Sequence, residues 1–101
     1  MSEPFKPFNL QSNVTSHSIV ISWEGQSRYP PTKKYLISHR TRTSSSSTID
    51  SLDSSKTSYV ITGLSPNTIN VIALSAENAL GRSQEVTVSL TTKPSGEFKV
   101  V

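Results

Sequence analysis

The residues able to do chemistry in this chain are few and scattered. Its two histidines, His17 and His39, share no metal-ligand spacing with each other or with a carboxylate. The seven carboxylates are dispersed, and Asp50 and Asp53 fall in a serine-rich stretch with no apolar surroundings to raise a carboxyl pKa toward that of a general acid. Serines are abundant, yet no Gly-x-Ser-x-Gly turn presents one as a nucleophile, and no glycine-rich loop cradles a phosphate. With four glycines in all, neither loop can be built. Cysteine is absent, which removes thiolate metal sites and disulfides together. The expectation is a protein that is not an enzyme and holds no cofactor or metal.

What remains is the chemistry of modification and contact. Asn13-Val14-Thr15 is an acceptor triplet for N-linked glycan, and an exposed position would make Asn13 usable in a secretory compartment. Lys34, Arg40 and Arg42 alternate along one segment and are expected on one outer face, with Arg28 and Lys33 near its start. Such a stripe suits a sulfated glycan or an acidic protein, or simply a solvated face that discourages edge pairing. A formal charge of +3 with no interleaved aromatics argues against nucleic acid. The serines from 43 to 58 read as a flexible connection, or as acceptors for O-linked sugar or phosphate.

The elements that must position these residues are strands. At 101 residues there is room for one core, which buries roughly 60–70% of the unfolded surface. The hydrophobic share of 33% suits two thin sheets with solvated outer faces. No apolar run reaches the roughly 18 residues of a membrane span, so no direct membrane insertion is expected. Ser18–Trp23 alternates, placing Ile19, Ile21 and Trp23 on one face. Lys33–Thr43 turns Tyr35, Ile37 and His39 inward, Tyr59–Thr62 and Asn70–Glu77 follow, and Glu85–Thr92 alternates through Val86, Val88 and Leu90. Leu10 and Val14 mark a first edge strand, and Ile49 and Leu52 a short one within the serines. Gly25, Pro30 and Pro31 make 24–32 a loop. The pattern predicts an all-β fold, a seven-stranded antiparallel sandwich of two sheets. Residues 1–7 read as a lead-in, 8–92 as the domain and 93–101 as a linker or tail. The core is expected to hold Trp23, Tyr35, Ile37, Tyr59, Ile61, Leu64, Ile72 and Leu74.

Four marks, in order, resemble a fibronectin type III domain: Trp23 ending a strand, Tyr35 opening the next, Leu64/Pro66/Thr68 before a later one, and Ala76/Asn78/Gly81/Ser83 entering a hairpin. The resemblance spans Pro7 to Thr92. It implies a non-catalytic interaction or spacer module from the extracellular part of a larger cell-surface receptor or adhesion protein. An intracellular scaffold module, or an accessory domain of a secreted multidomain enzyme, is the alternative. The tip Asn78-Ala79-Leu80-Gly81-Arg82 resembles the loop that carries adhesive contacts in some members, here without an Arg-Gly-Asp triplet. Implied partners are a protein or neighbouring domains, and the isolated domain is expected to be monomeric. Two departures stand out. Asn70 occupies the place of the family's corner tyrosine, so either its amide mimics the missing bond or a polar group is left poorly packed, with the inward Tyr59 replacing lost volume. The segment from Leu10 to Trp23 is also shorter than the family's.

Overall fold

In the computed structural model, residues 4–25 and 32–95 are described. Among these residues, eight strands follow one another: β1 (Phe8–Val14), β2 (Ile19–Glu24), β3 (Lys34–Thr41), β4 (Thr48–Asp53), β5 (Ser58–Ile61), β6 (Ile69–Asn78), β7 (Gly81–Arg82) and β8 (Val86–Thr91). They form a three-stranded sheet ordered β1-β2-β5 and a five-stranded sheet in which β6 pairs with β3 on one side and with β7 and β8 on the other, β4 lying outside β3. Every pairing is antiparallel.

The strand count exceeds the expected seven because the last strand is broken. Ser83 interrupts it: its Oγ accepts the Ala76 N–H at 2.9 Å, while its own N–H donates to the Ala76 carbonyl at 2.8 Å. A side chain thus stands in where a backbone carbonyl would continue the ladder. The chain is re-aimed there, and pairing resumes at Val86↔Leu74.

Alternation fills the space between the sheets. Ile19, Ile21 and Trp23 descend from β2, Ile61 from β5, Tyr35 and Ile37 from β3, and Ile72, Leu74 and Ala76 from β6, all buried. Full burial of one such large aliphatic side chain is worth about 1.5–3 kcal/mol. The Trp23 and Tyr35 rings meet edge to face, centroids 5.4 Å apart at 70°. Tyr59 and Leu64, expected in the core, are half-buried and pack against it. Tyr59 stays near the surface because its hydroxyl reaches the Asp50 carboxylate at the sheet edge, and Leu64 lies in the corner at one end.

β1 carries a bulge in which Asn9 and Leu10 oppose Trp23 alone, between the pairs Phe8↔Glu24 and Gln11↔Ser22. Asn9 takes a φ of +56°, which asparagine tolerates better than most residues, and its amide donates to the Glu24 carboxylate.

One end of the sandwich is stitched together. The Leu64 N–H donates to the His17 carbonyl and His17 Nδ1 donates to the Leu64 carbonyl, each at 3.0 Å. The Asn67 N–H reaches the Lys93 carbonyl, and the Lys93 N–H reaches that of Thr15. Buried Thr92 is the hub: its hydroxyl accepts the Thr68 N–H at 2.9 Å and donates to the Ser65 carbonyl at 2.6 Å. Asn70 is buried beside it, with Nδ2 donating to the Thr68 carbonyl at 3.0 Å. The amide therefore makes a shorter-range version of the corner bond. Tyr59 does not replace the missing ring, because Asp50 faces Ile37 whereas Asn70 faces Thr41, further along β3.

Candidate interaction surfaces

The hairpin between β6 and β7 is short and braced. Asn78 pairs with Gly81 and Glu77 with Arg82, leaving Ala79 and Leu80 as the loop. Asn78 Oδ1 accepts the Leu80 N–H at 2.9 Å, an Asx turn that holds the tip. Gly81 closes it with a φ of +147°, where a side chain would be strained. All five residues of the expected tip are thus brought together, with Leu80 49% exposed and Arg82 exposed beside it.

The basic residues of β3 are placed differently from one another. Lys34 sits on the outer face between Asp53 and Glu77, and its ammonium lies 3.9 Å from the Glu77 carboxylate. With Arg82 opposite Glu77, the outer face carries a row of alternating charge across four strands. This ion pair is half-exposed and worth roughly 0–1 kcal/mol. Arg40 shares that face, but its guanidinium turns onto its own loop, 3.2–3.3 Å from the carbonyls of Thr41, Arg42 and Ser44. Arg42 lies past the end of β3 in the turn, where its N–H donates to the Ile69 carbonyl. The alternation that placed it on the strand fails because β3 stops at Thr41. Arg28 lies outside the described residues, as does most of the 24–32 loop.

Between the charged row and the hairpin lies an open cleft of about 510 Å³, its walls formed by Lys33, Lys34, Asp53, Glu77 and Ala79 among others. Both signs of charge line it. The Asp53 carboxylate is held below the usual range by hydrogen bonds from the Ser55 hydroxyl and N–H, with which it caps the β4–β5 turn.

Elsewhere the titratable groups serve the fold. Burial lowers the His39 imidazole below its ordinary value, and the Asp50 charge partly opposes this. Burial raises the Tyr35 phenol, against a smaller lowering effect of the neighbouring Trp23 N–H. That indole nitrogen is buried without a well-formed hydrogen bond among the described residues. No group of three or more His, Cys, Asp or Glu that could hold a metal ion occurs among the described residues.

Asn13 lies exposed on β1, opposite Val20, which in turn faces Val60 of β5. Ser83, Thr92 and Asp50 were absent from the sequence-based site and core residues. For Ser83, its place in the Ala76-to-Ser83 spacing was the available signal.

A model of the fibronectin type III domain matches residues 5–92. No curated protein matches the chain. Among solved structures, FN3tt is 33% identical, with a TM-score of 0.76 over 94% of this chain and 100% of that one. A computationally redesigned β-sandwich protein is 28% identical, with a TM-score of 0.83 over 95% and 97% of the two chains. The FN1–FN3 segment of chicken CNTN1 is 22% identical with a TM-score of 0.78, covering 90% of this chain and 33% of that one, and shows likeness of fold. With its two-sheet antiparallel sandwich, its Trp23–Tyr35 core contact and a family match over most of its length, this chain belongs to the fibronectin type III family.

Proposed function

We propose that this domain is a non-catalytic interaction and spacer module in the extracellular part of a larger cell-surface receptor or adhesion protein. The observation that carries the reading is the braced hairpin tip: a half-exposed Leu80, its N–H fixed by Asn78, beside an exposed Arg82. An exposed aliphatic residue on an already braced backbone, flanked by a cation, leaves less chain to be ordered when a partner covers it. The work is geometric. The sandwich spaces its neighbours and offers the tip and the adjoining cleft to a protein partner.

A sulfated-glycan role draws less support, since Lys34 is set between two carboxylates and Arg40 is committed to loop carbonyls.

The test applies tetramers of the domain to live cells of the source tissue and compares wild type with Leu80→Glu and Arg82→Glu. Surface binding that falls at least tenfold in both variants supports the reading. Equal binding of all three proteins removes the tip from it, and the absence of surface binding by a folded wild type removes the adhesive role.

A further inference from the structure

The outer face of the three-stranded sheet is uncharged over a wide area. Asn13, Val20 and Val60 form one cross-strand row, and Gln11, Ser22 and Ser58 form the next. Val20 and Val60 are 37% and 55% exposed, side by side. A shallow depression of about 260 Å³ lies there, lined by Gln11, Ser12, Asn13, Val20 and Ser22. The acceptor triplet runs along its edge: Asn13 points outward, Val14 packs inward on the core, and Thr15 follows the strand end.

We infer that Asn13 is a site of N-linked glycosylation and that its first sugar lies across Val20 and Val60. The side chain is exposed, and its row and the next carry no strongly hydrated charge that a covering sugar would have to desolvate. The apolar C–H face of that ring suits two adjacent methyl-bearing side chains that otherwise meet water. The donor is a polyprenyl-diphosphate-linked oligosaccharide acted on by a membrane transferase. Asn13 Nδ2 bonds to the anomeric carbon, the bond from that carbon to the diphosphate oxygen breaks, the amide proton passes to a base, and the polyprenyl diphosphate leaves. No electrons change hands.

Timing is built into the triplet. In the folded chain the Thr15 hydroxyl accepts the N–H groups of His17 and Ser18 at 3.2 and 2.9 Å and shares a hydrogen bond with Ser18 Oγ at 2.6 Å. The group that marks the acceptor is occupied once the β1–β2 turn closes, so the sugar is added before folding. A glycan here would also bar this sheet face to protein partners and leave the opposite one free. The inference deepens the extracellular reading and depends on it only for the native chain.

The experiment secretes the domain behind a cleavable leader from a eukaryotic cell and measures intact mass before and after peptide N-glycosidase. Wild type and Thr15→Ser are expected to carry one glycan, and Asn13→Gln and Thr15→Ala none. Asn13→Gln leaves the Thr15 turn intact, so its loss of glycan is not a folding effect. Bacterially made, folded domain given to the transferase should stay unmodified until it is denatured. Methyl NMR should show the Val20 and Val60 signals shifted by the glycan. A folded, secreted wild type bare at Asn13 overturns the site, and unshifted valine methyls overturn the covering sugar. A glycan on the secreted domain upholds the site. If the native chain is then bare, it is the extracellular reading that falls.

Discussion

Tyr59 donates its hydroxyl to the Asp50 carboxylate across the open side of the sandwich, tying β5 of one sheet to β4 of the other. That bond raises the phenol above its ordinary value, with burial and the Asp50 charge adding to it. An acid whose folded-state pKa is raised contributes stability below the unfolded value, about 10 for tyrosine, and loses it as pH climbs through the folded one. Tyr59→Phe should therefore cost at most about 1 kcal/mol at pH 7, since the pair is solvent-screened. Urea melts should lose stability between pH 9 and 11 less steeply in the variant, a range set by the tyrosine reference of about 10. Matching slopes in the two proteins would rule the clamp out.

Ser83→Ala removes the acceptor for a backbone N–H on a fully buried residue, Ala76. The expected loss is about 1–3 kcal/mol, and each kcal/mol lowers Tm by roughly 4–8 °C in a domain this size. Amide exchange at Ala76 should quicken selectively, and Ser83→Thr should retain protection. An unchanged exchange rate at Ala76 would show that water or a shifted backbone serves as well.

His39 predicts an acid sensitivity. Its imidazole is held below the ordinary value by burial, the Asp50 carboxylate acting the other way. The folded state thus favours the neutral ring. Its contribution is complete above about 6.5, the unfolded value, and is lost as pH falls through the folded one. Wild type should lose denaturation midpoint between pH 7.5 and 5.5, a window set by that reference value of about 6.5, and His39→Phe should lose less. Identical pH profiles would mean that the ring is as well solvated folded as unfolded.

Gly25 lies against the Tyr35 ring: a β-carbon there would stand 1.8 Å from the phenol oxygen and 3.0 Å from the carbon bearing it. Gly25→Ala should destabilise by about 1–3 kcal/mol by overpacking and disturb Trp23 fluorescence through the edge-to-face contact. Tyr35→Phe deletes the oxygen of the closest contact, so the double variant should recover part of the loss. Simple additivity of the two changes would place the strain elsewhere.

The strands were legible because a sheet with one buried face repeats every two residues, and Ile19, Ile21 and Trp23 keep that period without a gap. The hairpin tip was legible from turn chemistry, with Asn78 and Gly81 at the required offsets. Contacts that depend on where side chains meet after the sheets close were not. Arg40 alternates correctly on β3, yet three carbonyls converging in the following loop draw its guanidinium away. Val86, Val88 and Leu90 announce the final strand, but their period says nothing of the break at Ser83. Asn70 was visible as a departure. The carbonyl it binds, that of Thr68 two residues before it, lies just after the turn in which Asn67 takes a φ of +53°, and periodicity does not announce it.

The stitched end has a mechanical consequence. Phe8 pairs with Glu24 and Val14 with Ile19, while Lys93 bonds back to Thr15, so β1 begins at one pole and β8 ends at the other. Tension applied at Phe8 and Lys93 runs along both strands, and their transverse ladder bonds are sheared together instead of being peeled in turn. Lys93 adds its bonds to Thr15 and Asn67 at the pulled end, whereas the bulge at Asn9 and Leu10 thins the ladder at the opposite one. Under stretch, the β1 ladder, thinned by its bulge, should give way as a unit first, with β8 still anchored.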